Sequence, residues 1–514
     1  MDASAAGAIQ ARGPDGPPAR DGSLRISRRQ CLAAFVTLAA TAACKSSGPR
    51  ETILPGSPAT PAIKPGGGTG EVLLTRFRPE DFGAAGDGRT NDTAAFARMA
   101  DAVNAAGGGT VMLRNTTYIV GGHLPAPTSI WAFPPVPVMI FDGCSNGLGI
   151  YGNGARLRCD DGLRFGTFDP STGLATQHAM PFYGATERSS PYVAMLMVQN
   201  CTGKVHIEGL ELDGNLAGLS LGGPYGDTGW QIPASGLWLS NNSGGETVRD
   251  VHSHHHGQDG IYLDAPAGRT TSTELSNVVS EYNGRQGCSI VGGSNHSFVN
   301  CRFNHTGRGG LVSAPGAGLD IEAETSPIRN VSFSGCEFSN NAGAGMVADS
   351  GDSDGATFTA CLFVGTTTWS AWPNKPNFRF SNCRFVGSLC HAFQDPDPVR
   401  AAQFSGCSFL DDPALSPTGQ VFGAAIADLG AGDSNVLFDG CTFSLKNGSL
   451  LPWTVLTRYN NCTMAQAARG QAYPRGTYTG VNRIDGNVDI SSSKVAGQLT
   501  LNGQLVPPTD HYGW

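Results

Sequence analysis

The sequence predicts an all-β chain wound as a parallel β-helix, with three strands to a coil and about 21 to 27 residues per coil. Three observations predict it. Seven segments share the pattern aromatic-x-x-Cys-x-apolar: Phe298/Cys301/Phe303, Phe333/Cys336/Phe338, Phe358/Cys361/Phe363, Phe380/Cys383/Phe385, Phe404/Cys407/Phe409, Phe438/Cys441/Phe443 and Tyr459/Cys462/Met464. The residues just before these cysteines are Asn300, Gly335, Ala360, Asn382, Gly406, Gly440 and Asn461, nearly all of the types that accept a left-handed bend. Such a bend turns two strands through a corner with the aromatic, the cysteine and the following apolar residue all inward, a phase that fits neither one strand nor one α-helix. The pattern extends backward through Val278, Val251 and Leu210, and successive reference positions from Leu210 to Cys462 are 41, 27, 23, 35, 25, 22, 24, 34 and 21 residues apart. Three of these coils therefore carry insertions.

Composition agrees with such a solenoid. The chain has 71 glycines in 514 residues and only 15% charged residues, against about 25% in an ordinary globular chain. That excludes a coiled coil and a charge-rich disordered chain. The net charge of -8, with six lysines, gives no pull toward phosphate, so nucleic acid is not an expected partner. Hydrophobic residues make up 40%, enough for a core, and no apolar run reaches the ~18 residues that span a bilayer.

The elements follow in chain order. Ser27-Arg28-Arg29-Gln30-Cys31-Leu32 precedes an apolar stretch to Ala43 and resembles a twin-arginine export signal over residues 1–44. Thr41-Ala42-Ala43-Cys44 resembles a lipoprotein cleavage box, so any membrane contact is expected through a lipid on Cys44, with Ala40-Thr41-Ala42 as the site for an ordinary signal peptidase instead. Residues 45–72 are a Pro/Gly/Ser/Thr-rich tether. Asn91 to Ala106 has helical periodicity, with Asp92 or a neighbour as N-cap, Phe96, Met99 and Val103 on one face and Gly107 to Gly109 as the stop; a strand is expected over Thr110 to Leu113.

The stretch Asp81 to Phe96 (DFGAAGDGRTNDTAAF), followed by Gly107 to Tyr118 (GGGTVMLRNTTY), is similar to the N-terminal signature of the pectate lyase superfamily, the polygalacturonase and rhamnogalacturonase-like proteins. The resemblance implies a right-handed parallel β-helix with an N-terminal capping α-helix, here over residues 73–470. It says little about chemistry, because that superfamily holds hydrolases, lyases, epimerases and phage tailspikes. Residues 471–514 read as a C-terminal extension, a terminal cap or a trimer contact; monomer and homotrimer both remain open.

Seven of the cysteines fall at one inward position, and no zinc-type spacing occurs, which predicts a buried column of free thiols. Cys383 and Cys390 alone are close enough in sequence to leave a local disulfide open.

Aligning the coils brings a second set of strands into register: Gly236 to Ser240, Gly260 to Asp264, Gly287 to Val291, Gly318 to Glu322 and Gly345 to Asp349. With period two, one outward column reads Trp238, Tyr262, Ser289, Asp320, Val347, and its neighbour Ser240, Asp264, Val291, Glu322, Asp349. Flat rings on an outward face stack on sugar rings, and carboxylates two apart on one strand stand ~6 to 7 Å apart, near the ~6.5 to 9.5 Å of inverting glycosidases. The expected acid-base pair is therefore Asp320 and Glu322, with Asp264 or Asp349 as modulator or metal ligand and Trp238 and Tyr262 as stacking platforms. Arg285 and Arg308 align on adjoining turns, placed to hold a uronate carboxylate. His254-His255-His256 suggests an acid-base or sugar-binding histidine, His256 above all, more than a metal centre, because consecutive residues do not all point to one ion.

The superfamily's catalytic blocks are mostly missing. Of the Asn-Thr-Asp, Asp-Asp, His-Gly and Arg-Ile-Lys blocks of polygalacturonases, only His256-Gly257 matches, and it precedes the acidic strand; the Asp-Pro-His-Glu block of alginate epimerases is absent. Calcium-dependent pectate lyases use acids for the ion and a basic residue as base, parts that Asp264, Asp320, Glu322 and Arg308 would fill. The sequence thus predicts an exported polysaccharide-degrading glycoside hydrolase that needs no cofactor. A calcium-assisted lyase and a non-catalytic glycan-binding adhesin or tailspike-like protein are the alternatives.

Overall fold

The computed structural model describes residues 75–177, 186–223, 232–429 and 435–509. The expected export signal, Cys44 and the tether lie outside the described residues. Nearly all strands join one 36-stranded sheet whose pairings, except the last, are parallel and link each coil to the next. One coil runs through Asp259–Asp264, Thr273–Ser276 and Val279–Glu281, then enters the next at Gln286. Among the described residues no helix is long and apolar enough to cross a membrane.

The corner between the second and third strands is left-handed in coil after coil. Its φ is 53° at Asp250, Asn277, Asn300, Ala360 and Asn461, and 64° at Gly335 and Gly406. This bend lets the residues on both sides point inward. Phe298 pairs with Phe333, Phe333 with Phe358, and Phe358 with Phe380, their rings stacked at 4.4, 4.7 and 4.8 Å. On the other side of the corner Phe338, Phe363, Phe385 and Phe409 stack at 4.9 Å per step. Between the two ladders run Cys301, Cys336, Cys361, Cys383, Cys407, Cys441 and Cys462, all buried free thiols. Cys390 is likewise free, so Cys383 and Cys390 form no disulfide.

A helix spans Thr93–Ala105, with Phe96 packed edge-on against Tyr118 at 5.1 Å. Asp92 stands at its N-cap but makes no side-chain cap bond; its carboxylate instead accepts from the backbone N–H groups of Ala85 (2.7 Å) and Gly86 (3.1 Å), tying down the preceding loop. Parallel pairing continues beyond residue 470: Tyr459 faces Tyr478 and Met464 faces Ile484. The cysteine signature ends at Cys462 because the next coil puts Asn482 at that corner, where its Oδ1 accepts from Cys462 N–H. Antiparallel pairing of Gln498–Leu501 with Gln504–Val506 ends the sheet.

Four short strands, Trp131–Phe133, Arg164–Thr167, Arg188–Ser189 and Ser220–Gly222, form a separate small sheet built from insertions. It lies against the coil turns. The Phe165 ring comes within 2.5 Å of where a Cβ on Gly257 would stand, so only glycine fits there.

Candidate functional site

The strands aligned in sequence form one face of the solenoid. Trp238 pairs with Tyr262, Tyr262 with Ser289, Ser289 with Asp320, Asp320 with Val347, and Val347 with Trp372. The first outward column is thus in the expected order. The glycines that open these strands are required by close approach: a Cβ on Gly236 would sit 2.0 Å from Ser253 Oγ, and one on Gly260 2.0 Å from Ser280 Oγ. The second column differs at one step. A register shift between Leu263 and Asp264 sets Asp264 opposite Gly292, and Val291 is buried.

Exposure is where the sequence expectation fails. A strand's outward residues meet water only when nothing lies over them, yet Trp238 is 7% exposed, Tyr262 3%, Ser289 1% and Asp320 5%. The rings of Trp238 and Tyr262 do stand side by side, 4.1 Å apart and tilted by 36°. They are a covered pair rather than an open platform.

Beneath them a polar cluster spans three coils. Ser289 Oγ donates to Asp259 Oδ2 (3.0 Å), Arg285 Nη1 reaches both Asp259 oxygens (3.4 and 3.3 Å), and Gln286 Nε2 donates to Asp320 Oδ2 at 2.6 Å. Arg285 and Asp259 form an ion pair with side chains 5% and 0% exposed. Arg285 is therefore bound to a protein carboxylate, not held out toward substrate. Asp259 and Gln286 escaped the sequence reading, although Asp259 opens its strand just after the His-His-His turn.

The other expected residues are placed apart from this cluster. Glu322 is half-buried, and its Oε1 accepts from Ser350 Oγ at 2.8 Å. Asp264 accepts from Thr325 Oγ1 (2.5 Å) and Ser240 Oγ (3.2 Å). Asp349 is exposed just past its strand. Arg308 does not stack over Arg285: its guanidinium donates to the carbonyls of Asn340 and Asn341 and to Thr366 and Thr367 Oγ1, joining turns two coils onward. His256 is fully buried between Tyr192 Oη, which donates to Nδ1 (2.9 Å), and the Leu212 carbonyl, 3.1 Å from Nε2. Burial pushes its pKa down to about 3, so it is a neutral interior histidine and not a groove residue. Among the described residues two groups of side chains converge closely enough for a metal ion, Glu211/His252/His254 and Asp213/His254/His255. Neither includes Asp264, Asp320 or Glu322.

Residues 235–409 match the sequence family described as a right handed beta helix region. Over those residues the chain is similar to that family, and the parallel coil register agrees with the fold it describes. This β-helix is 57% identical over 44 residues to "Depolymerase 1, capsule KN3-specific" of Klebsiella phage KN3-1; that match covers 8% of the chain and 6% of the phage protein. Among solved structures, the Azotobacter vinelandii mannuronan C-5 epimerase AlgE4 A-module is similar over 83% of this chain and 97% of its own, at 18% identity and a TM-score of 0.39. The N-terminal fragment of bacteriophage Phi29 gene product 12 matches 83% of this chain and 70% of its own, at 15% identity and a TM-score of 0.48. PfbA, a surface adhesin of Streptococcus pneumoniae, matches 83% and 91%, at 12% identity and a TM-score of 0.37.

Proposed function

We propose that this β-helix is an exported carbohydrate-active protein that holds a polysaccharide along the face of Trp238, Tyr262, Ser289 and Asp320. The observation that carries the reading is the acidic edge of that face, where Asp320 stands two residues from half-buried Glu322 and pairs with Val347 on the strand that leads to exposed Asp349. The relative named as a capsule depolymerase and the epimerase module point to the same substrate class. The helix Thr93–Ala105 is read as the cap of a solenoid whose coils take 21 to 27 residues. The leading chemistry is hydrolysis, with Asp320 donating the proton and half-exposed Glu322 activating water across the strand. No cofactor is needed for that route.

A second reading, a glycan binder without turnover, is favoured by the burial of Asp320 and by the commitment of Arg285 and Arg308 to protein partners. One experiment separates them. The purified protein is screened on acidic and neutral polysaccharides for reducing ends and for the ultraviolet absorbance of unsaturated sugar, beside Asp320→Asn and Glu322→Gln. Hydrolysis predicts reducing ends without unsaturation, lost at least 100-fold in either variant while binding persists. Unsaturated product makes the protein a lyase, and binding with no product from the parent protein makes it a binder.

A further inference from the structure

We propose that Glu211, His252 and His254 form a binding site for a divalent transition metal of the zinc type on the outer side of the third strand. The three consecutive histidines draw attention in the sequence, yet the structure separates them. His256 turns into the core. His255 occupies the left-handed corner (φ 55°), where its ring stacks on Tyr282 at 5.0 Å and 10°, and Tyr282 stacks on His305 at 4.7 Å and 12°. The pair that converges is His252 and His254, two apart on one strand and so on one face, their ring centroids 4.2 Å apart.

The preceding coil supplies the carboxylate. Glu211 is in register with His252, and its Oε1 lies 3.1 Å from His254 Nε2. The following coil supplies another, Glu281, whose Oε1 lies 3.0 Å from His252 Nε2. Ligands ~2.1 Å from a tetrahedral ion stand ~3.4 Å from one another, so these atoms close on an ion with small side-chain shifts. Two imidazoles with carboxylate oxygens favour zinc, cobalt or nickel over calcium.

The surroundings match what such a site needs. His254 Nδ1 lies 2.7 Å from His255 Nδ1, so one of these nitrogens carries the hydrogen. With the proton on His254 Nδ1, Nε2 presents its lone pair to the ion, the orientation that an outer-shell acceptor imposes on a metal-binding histidine. Arg156 Nε stands 3.1 Å from Glu211 Oε1, and the same guanidinium pairs with Asp213, fixing both carboxylates. Three carboxylates, Glu211, Asp213 and Glu281, thus face two guanidinium groups, Arg156 and Arg158, leaving room for a cation's charge. The side chains of His252 and Glu211 are 40% and 35% accessible, so an ion can enter.

The test uses the purified chain, stripped with chelator and titrated with ZnCl2 by calorimetry and equilibrium dialysis. The expected result is one equivalent bound per chain, lost in His252→Ala and in His254→Ala. His255→Ala should keep the equivalent with affinity reduced roughly 10- to 100-fold. Zinc retained by both His252→Ala and His254→Ala, or no zinc bound at all, overturns the proposal. Should either variant fail to fold, Co2+ added to the parent protein decides: the strong visible bands of a four-coordinate site support it, and the faint spectrum of aqueous cobalt refutes it.

Discussion

Replacing Arg285 by methionine tests whether this side chain serves the fold or the ligand. The change keeps much of its volume and removes its charge, leaving the Asp259 carboxylate fully buried beside Ser289 Oγ. Breaking a buried pair from one side costs about 3 to 5 kcal/mol. Here the contacts from Nη1 are long, 3.3 and 3.4 Å, which places the expected loss near 3 kcal/mol. Removing the second charge as well, in Asp259→Asn/Arg285→Met, should restore stability to within about 1 kcal/mol, because no uncompensated ion is left in the interior. Urea unfolding followed by circular dichroism measures all three proteins, and polysaccharide binding is measured in parallel. The reasoning is refuted if Arg285→Met unfolds at the parent's urea concentration while its affinity for an acidic polysaccharide falls tenfold or more. That outcome would make Arg285 a substrate contact after all.

The stacked core makes further predictions. Phe380→Ala removes a ring stacked at 4.8 Å on both Phe358 and Phe404 and edge-on to Phe363 and Phe385, so it should cost about 5 kcal/mol, the upper end of such truncations, in urea unfolding; a loss under about 2 would contradict the continuous ladder. Ala360 holds φ at 53° where its neighbours in the column are mostly Gly or Asn; Ala360→Gly should therefore stabilise by about 0.5 to 1 kcal/mol, and a lower urea midpoint would show that the corner is not left-handed. Burial holds His123 and His296 at a pKa of about 4 and His256 at about 3, below the unfolded 6.5, so the unfolded chain binds more protons between those values. Stability is full above pH 6.5 and falls as pH drops toward 4. His256→Gln should make that fall shallower, and an unchanged slope would mean that His256 titrates normally.

How much was legible in the sequence follows from what repeats. The inward positions recur in every coil with the same chemistry, so Phe298 to Tyr459, the thiol column and the corner at Asn277 or Asn382 could be read from spacing alone. The order of Trp238, Tyr262, Ser289 and Asp320 followed from the same register. What covers that column does not repeat. Phe165 on Gly257, and the small sheet that carries it, come from insertions with no period, and the burial of Asp320 and Trp238 likewise left no mark in the pattern. Charged side chains were misplaced for a related reason. Arg285 and Arg308 align between turns, but one reaches inward to Asp259 one coil back and the other across to Thr366 and Thr367 two coils onward, choices made by neighbours on other coils. The His-His-His run misled in the same way, since the pair that converges skips a residue, as strand geometry requires.

Hydrogen exchange of the parent protein, with and without an oligosaccharide taken from whichever polysaccharide it binds, tests the central claim most directly. A glycan lying on the proposed face should slow exchange in Ser235–Ser240, Asp259–Asp264 and Leu319–Ile321 and in the turns that precede them. Protection confined to the other two faces of the coils, or none with the sugar demonstrably bound, would contradict it.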